Sequence, residues 1–157
     1  MEQQVLFVCL GNICRSPTAH GVFNRQLTDA GLNQRITADS AGTGAWHVGE
    51  PPDERAAAAA ARRGYDLSSL RARQVRPDDF QRFDYILAMD KSNLLHLQAL
   101  CPADYPGHLG LFLDYHPASP ILEVPDPYYG GSDGFNEVLD LVEQAGQGLL
   151  QAMNGGQ

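Results

Sequence analysis

The chain has few cysteines and no residue pattern that would bind zinc. Its 157 residues include three cysteines, at positions 9, 14 and 101, and an odd number argues against a disulfide framework. The five histidines are scattered, and no Cys/His spacing matches a zinc site. We therefore expect no metal and no cofactor, and we interpret Cys101 as an inert core residue.

Long hydrophobic runs and an excess of basic residues are also missing. No segment is long enough to span a bilayer, and residues 1–4 lack the basic start of a signal peptide. The formal net charge is -8, which argues against non-specific binding to nucleic acid or anionic membranes. We expect a cytoplasmic protein that has neither nucleic acid nor a membrane as a partner.

Apolar runs alternate along the chain with segments of helical periodicity. Buried strands are predicted at residues 5–8, 36–43, 85–89 and 109–113. Helices are predicted at residues 17–30, 53–63, 78–83, 93–100 and 135–150. Ser16 and Ser92 fit the capping positions before two of these helices, and Asp53 is predicted to start a third. We expect the tail to fray from Asn154.

This alternation indicates a parallel sheet covered by helices on both faces. We predict an α/β fold: a single-domain, flavodoxin-like parallel sheet of about four strands in the order 2-1-3-4. Ligands of such folds bind beyond the carboxyl ends of the strands. Three polar loops leave the predicted sheet there, at residues 9–16, 40–46 and 90–92.

The loop after the first predicted strand combines a thiol with a guanidinium. Cys9 ends the strand, Arg15 begins the helix, and five residues lie between them. The loop amides and the helix N-terminus can converge on one tetrahedral oxyanion. That environment favours the thiolate form of Cys9, which is the nucleophile, and Arg15 can bind two phosphate oxygens. Gly11 permits an unusual backbone angle, while Asn12 and Ser16 can hold the loop by hydrogen bonds.

Attack on phosphorus also requires an acid that protonates the leaving oxygen. Asp126 is the best candidate, because Pro125 and Pro127 fix its backbone and its carboxyl can lie over a pocket. A positioned acid contributes roughly 10²–10⁴-fold in rate. The same carboxylate can then activate the water that hydrolyses a phosphocysteine.

Residues 9–16, CLGNICRS, resemble the phosphate loop of the low-molecular-weight protein tyrosine phosphatases. Residues 126–129, DPYY, resemble that family's general-acid loop. Further segments that resemble those of the family occur in the same order along the chain, at residues 39–43, 46, 72–74 and 89–93. The resemblance implies a phosphotyrosine protein phosphatase domain over residues 1–154, with a disordered tail at 155–157.

The resemblance implies a metal-independent, two-step hydrolysis of phosphotyrosine monoesters. Cys9 attacks phosphorus, Arg15 binds the phosphate, and Asp126 acts as general acid and then as general base. The implied phosphate-binding residues are Leu10, Gly11, Asn12, Ile13, Cys14, Arg15 and Ser16. The implied supporting network is Asn12, Ser16 and Ser40, and the implied pocket walls are Ile13, Trp46, Tyr128 and Tyr129.

Two positions refine what the resemblance implies. A bulky apolar residue at Ile13 is typical of members that act on phosphotyrosine, whereas threonine there is typical of members directed at phosphoarginine. Leu70 occupies the position where many relatives have a histidine that supports the loop network. Leucine cannot form a hydrogen bond, so we expect a network that is looser or closed differently.

Alternatives stay open for several side chains. Cys14 either packs simply or forms a reversible disulfide with an oxidised Cys9. Asp90 is either a solvated carboxylate at a strand end or a supporting contact to the loop. Trp46 fits a core aromatic as well as a pocket wall, and the tyrosine pair at 128–129 is also a candidate for phosphorylation.

The implied partner is a tyrosine-phosphorylated protein, with a tyrosine autokinase as one candidate. Inorganic phosphate and vanadate are implied inhibitors, and we expect a monomer. Two other functions compete with this one. A thiol-dependent arsenate reductase would need additional cysteines that pass electrons away from the first, and Cys101, the only cysteine far along the chain, has no nearby partner. A non-catalytic phosphotyrosine reader would keep Arg15 but lose the thiol or the acid, and the chain has both.

Overall fold

The computed structural model describes residues 2–119, 121–128 and 132–155. Its strands are β1 (Gln3–Cys9), β2 (Ile36–Gly42), β3 (Tyr85–Ala88) and β4 (His108–Leu111). Its helices are α1 (Arg15–Asp29), α2 (Glu54–Arg62), α3 (Asp79–Arg82), α4 (Lys91–Leu100) and α5 (Ser132–Gly155), with a 3-10 helix at Phe112–Tyr115.

The four strands form one parallel sheet in the order β2-β1-β3-β4, which confirms the predicted fold class and order. β1 is central, and its residues 5–8 are fully buried. Such a continuous apolar run is expected where helices cover both faces of a parallel sheet. The register pairs Cys9 with Gly42, so the predicted nucleophile lies at the carboxyl edge.

Helices cover the two faces of the sheet unequally. Phe7 points to the larger core, which is formed with α1, α2 and α5, and its ring packs edge-on against Phe23 and Phe112. Leu6 and Val8 point to the smaller core, which is formed with α3 and α4. This arrangement leaves the carboxyl edge of the sheet to the connecting loops.

Both predicted helix caps, Ser16 and Ser92, are wrong. The residue before α1 is Cys14, and Ser16 lies inside the first turn, where its hydroxyl contacts the Cys9 sulfur. Asp90 rather than Ser92 caps α4, because its carboxylate accepts a hydrogen bond of 2.7 Å from the Asn93 amide in the first turn. The negative charge of this carboxylate is also stabilised by the positive end of the helix dipole. Asp53, which was predicted to start α2, is the N-cap residue before it.

The ends of the later elements also differ from the predictions. β4 stops at Leu111 because the chain turns into the 3-10 helix, whereas the sequence extended the strand to residue 113. α5 begins at Ser132, three residues before its predicted start, and continues to Gly155. The last two residues of the predicted tail lie outside the described residues. None of the described helices is both long and apolar enough to cross a membrane.

Candidate active site

Three loops at the carboxyl edge of the sheet enclose a cavity of about 330 Å³. They are the β1–α1 loop, the segment after β2 and the segment that carries Asp126. The lining residues are Cys9, Leu10, Gly11, Ile13, Cys14, Arg15, Trp46, His47, Asp126 and Tyr128. The structure thus brings the predicted thiol, guanidinium and carboxyl to one cavity from distant parts of the chain.

The Cys9 sulfur lies at the buried end of this cavity and is held by two polar groups. The side chain of Ser16 places Oγ 3.0 Å from Sγ, and the backbone amide of Asn12 donates to Sγ at 3.2 Å. Asn12 Nδ2 donates to Ser16 Oγ at 2.7 Å, and the one hydroxyl hydrogen of Ser16 has two acceptors within reach, the sulfur at 3.0 Å and the Ala41 carbonyl at 3.4 Å. The Asn12 amide and the Ser16 hydroxyl therefore both lie within hydrogen-bond distance of the sulfur.

Arg15 is buried and held in position by acceptors from two later segments. Nη1 donates to Asp90 Oδ2 at 2.7 Å and to the Val124 carbonyl at 3.0 Å, while Nη2 lies 3.7 Å from Asp126 Oδ2. Burial alone would lower the pKa of the guanidinium, but the Cys9 charge and the Asp90 carboxylate outweigh it and raise that pKa. Of the two alternatives left open for Asp90, the structure therefore shows a contact with the site.

A short hydrogen-bond network supports the β1–α1 loop. Asn12 adopts a left-handed backbone, with φ of 59°, and its Oδ1 accepts the backbone amide of Arg73 at 2.9 Å. A backbone donor therefore holds the Asn12 side chain. Ser40, predicted to belong to this network, places its hydroxyl 3.1 Å from Nδ1 of the buried His20.

Two histidines at the site were not predicted. His20 lies on the inward face of α1, one helical turn after Ser16. This spacing from the β1–α1 loop is the sequence feature that could have pointed to His20. His47 follows Trp46 and lies with its ring edge over Gly11. Its Nδ1 is 3.1 Å from a Glu50 carboxylate oxygen, so His47 brings an ionisable ring to the mouth of the cavity.

We expect His20 to make folding stability depend on pH. Burial, chiefly, lowers the pKa of His20, and Asp39 opposes this shift while Arg73 adds to it. The unfolded chain therefore takes up a proton that the folded chain resists, and stability falls as pH drops below about 6.5.

Urea unfolding at a series of pH values should show that His20→Gln flattens this decline. His96→Gln, which changes an exposed residue of α4, should leave the decline unchanged. A His20→Gln protein that loses stability with falling pH as steeply as wild type would contradict the expectation.

Aromatic and aliphatic side chains form the outer walls of the cavity. Trp46 is 70% exposed, and its ring lies across Gly44, where any side chain would overlap the indole. Ile13 is buried and Tyr128 is partly exposed. Tyr129, the fourth predicted wall, lies outside the described residues. The described walls add apolar surface to a cavity whose entrance also carries polar side chains.

Asp126 lies at the entrance rather than the base. Its side chain is 41% exposed, and Oδ1 accepts the Tyr128 amide at 3.0 Å. This hydrogen bond fixes the turn that holds the carboxyl over the cavity, while exposure allows it to exchange protons with water. Both properties suit a group that acts as acid and then as base.

The other two cysteines have different environments from Cys9. Cys14 is buried, and burial, with a smaller effect of Asp53, raises its pKa to about 12, so it carries a neutral thiol. Cys101 was predicted to be core, but it is only half-buried at the end of α4. No group of three His, Cys, Asp or Glu side chains in the described part of the chain could hold a metal ion.

Comparisons with known proteins cover nearly the whole chain. Residues 4–156 match the family model described as low molecular weight phosphotyrosine protein phosphatase. A low molecular weight protein-tyrosine-phosphatase of Streptomyces coelicolor is 47% identical, over 98% of this chain and 94% of that protein. One of Bacillus subtilis is 43% identical, over 95% and 94%. A crystal structure of a protein tyrosine phosphatase from Entamoeba histolytica, with Hepes in its active site, superposes with a TM-score of 0.93 at 39% identity, covering 99% of this chain and 100% of that one.

Proposed function

The chain belongs to the low molecular weight phosphotyrosine protein phosphatase family, and we propose that it hydrolyses phosphotyrosine monoesters through a phosphocysteine on Cys9. One observation carries the proposal: a buried thiol, a buried guanidinium and a partly exposed carboxyl line the same cavity. The thiol is the nucleophile, the guanidinium binds phosphate, and the carboxyl transfers the proton. Asp126 is the only one of the three at the entrance, where the leaving group departs.

In the first step the Cys9 thiolate attacks phosphorus, a sulfur–phosphorus bond forms, and the bond to the phenolic oxygen breaks. Arg15 binds two equatorial oxygens, because Asp90 and the Val124 carbonyl already fix its orientation. The amides of residues 10–15 bind the remaining charge. Asp126 gives its proton to the departing phenolate, so tyrosine leaves as a neutral side chain.

In the second step water attacks the phosphocysteine. The Asp126 carboxylate takes a proton from the water. The water oxygen bonds to phosphorus, and the sulfur–phosphorus bond breaks. Ser16 Oγ, 3.0 Å from the sulfur, donates to the departing thiolate and stabilises it. Inorganic phosphate then leaves, and the Asp126 carboxyl is protonated for the next turnover.

The walls of the cavity favour an aromatic phosphate. Ile13, Trp46 and Tyr128 line its outer part, and flat apolar groups there can contact both faces of a phenyl ring. The proposed partner is therefore a tyrosine-phosphorylated protein. Because the bottom of the cavity binds a tetrahedral oxyanion, inorganic phosphate and vanadate are proposed as inhibitors.

The test compares kcat/KM for three peptides of identical sequence that carry phosphotyrosine, phosphoserine or phosphoarginine. Hydrolysis of the phosphotyrosine peptide should be fastest, should persist in a chelator, and should be inhibited by vanadate. A preference for phosphoarginine would overturn the proposed role of Ile13. Absence of hydrolysis of all three peptides would overturn the proposed activity.

We also propose that Cys14 protects the nucleophile from irreversible oxidation. Hydrogen peroxide converts the Cys9 thiolate into a sulfenic acid, and the neighbouring Cys14 thiol then condenses with it, releasing water and forming a disulfide. Both sulfurs are buried in the same loop and are free in the structure. Peptide mapping without reductant after peroxide treatment would detect the bond, and sulfinic acid at Cys9 in its place would contradict the proposal.

A further inference from the structure

Arg73 lies outside the cavity and is held between two carboxylates from different elements. Its Nη2 is 3.1 Å from Asp39 Oδ2 in β2 and 3.1 Å from Asp79 Oδ1 in α3. Nη1 donates to the second Asp79 oxygen at 3.1 Å, and the Asp79 side chain is only 4% exposed. Charge-assisted bonds of this fork geometry fix a guanidinium strongly. If Arg73 moved, the buried Asp79 carboxylate would lose its cation and keep only the Arg76 amide, which donates to it at 2.8 Å.

The backbone of Arg73 is fixed from both sides. Its carbonyl accepts the Gly42 amide at 2.8 Å, and the Gly42 carbonyl accepts the Val75 amide at 2.8 Å. The segment therefore runs beside the carboxyl end of β2, next to the start of the phosphate loop. The remaining polar backbone group is the Arg73 amide, which donates to Asn12 Oδ1 at 2.9 Å.

Asn12 in turn controls both hydrogen bonds to the sulfur. Its own amide donates to Cys9 Sγ at 3.2 Å, and its Nδ2 orients the Ser16 hydroxyl that lies 3.0 Å from the same sulfur. Its left-handed backbone is disfavoured for residues with a side chain. The acceptor role of Oδ1 therefore opposes relaxation of the loop away from this conformation.

We propose that Arg73 is a positioning residue for the nucleophile, which acts through its backbone amide on Asn12 and so on the Cys9 sulfur. The two carboxylates at Asp39 and Asp79 fix the guanidinium, and the guanidinium fixes the amide. Arg73 touches neither phosphate nor sulfur. This inference rests on the proposed function, because it assigns Arg73 to the site where Cys9 attacks phosphorus.

The chain offers a matched control for this proposal. Arg63 also binds two carboxylates, Asp140 and Glu143, each at 2.9 Å, and its side chain is 28% exposed against 25% for Arg73. Those contacts join the end of α2 to α5, away from the cavity. Arg63→Met and Arg73→Met therefore each remove an arginine that is held by two carboxylates, although Asp140 and Glu143 are 70% and 30% exposed against 30% and 4% for Asp39 and Asp79. Only Arg73→Met affects the support of Asn12.

The experiment measures the pH dependence of Cys9 alkylation by iodoacetamide and the inhibition constant of inorganic phosphate in both variants. Arg73→Met should move the alkylation midpoint to higher pH and weaken phosphate inhibition about 10-fold, which is the effect expected when hydrogen bonds to a charged group are lost. Arg63→Met should lower the melting temperature and leave both properties as in wild type. An Arg73→Met protein with the wild-type alkylation profile and phosphate inhibition overturns the proposal, whatever its melting temperature.

A second variant keeps the test decisive if Arg73→Met does not fold. Arg73→Lys retains the charge but cannot bind both carboxylates as a fork, so the same shifts should occur in smaller amount, and unchanged values would overturn the proposal. Alkylation is measured without substrate. It therefore reports on Arg73 even if the wild-type protein fails to hydrolyse phosphotyrosine, which would count against the proposed function alone.

Discussion

Cys9→Ser should lower kcat for a phosphotyrosine peptide by about 10⁴-fold or more and leave the binding of inorganic phosphate nearly intact. A serine hydroxyl stays protonated at neutral pH and is a weak nucleophile without an adjacent base. Phosphate affinity survives because Arg15 and the loop amides remain. The Arg15 side chain is held by Asp90 and the Val124 carbonyl, neither of which depends on the sulfur.

Steady-state kinetics and calorimetric titration with phosphate separate these two effects. Cys101→Ser provides the control, since that thiol lies half-buried at the end of α4, and it should retain the kcat and phosphate affinity of wild type. If Cys9→Ser turns over substrate at an ordinary rate, the phosphocysteine mechanism is wrong. If it loses turnover and phosphate binding together, the substitution has collapsed the loop, and the nucleophilic role is unsupported.

The elements and their order could be predicted because they depend on local periodicity. The apolar run at residues 5–8 and the helical spacing after it each carry their own signal, and the loops of a parallel sheet meet at one edge. The α/β fold, the sheet order and the cavity edge follow from these features. Errors occurred where two nearby residues competed for one role, as when Asp90 rather than Ser92 capped α4.

The support of the site could not be predicted, because it depends on contacts between distant residues and on backbone groups. Asp90 reaches Arg15 across 75 positions, and the amide that holds Asn12 comes from Arg73, 61 positions away. A backbone amide is present at nearly every residue, so the sequence does not show which one donates to the Asn12 side chain. His20 was missed because a single histidine on an inward helix face also fits a core residue.

Asp126→Asn should lower kcat/KM for a phosphotyrosine peptide by roughly 10²–10⁴-fold, the usual contribution of a positioned general acid. The loss should be smaller for aryl phosphates whose phenols are more acidic, because these leave without a proton. A series of aryl phosphates measures this as a steeper dependence of rate on the acidity of the leaving phenol. Asp104→Asn, which changes an exposed turn, should match wild type across the series.

The position of Asp126 beside Arg15 adds a second measurable consequence. The two side chains lie 3.7 Å apart, so a phosphate that binds Arg15 competes with the Asp126 carboxylate for the same cation. The negative phosphate and the Asp126 carboxylate also repel each other across the cavity. Asp126→Asn removes the competing charge, so inorganic phosphate should inhibit it at least as strongly as wild type. Weaker phosphate inhibition in step with the lost turnover would instead indicate that Asp126 holds the loop and does not transfer the proton.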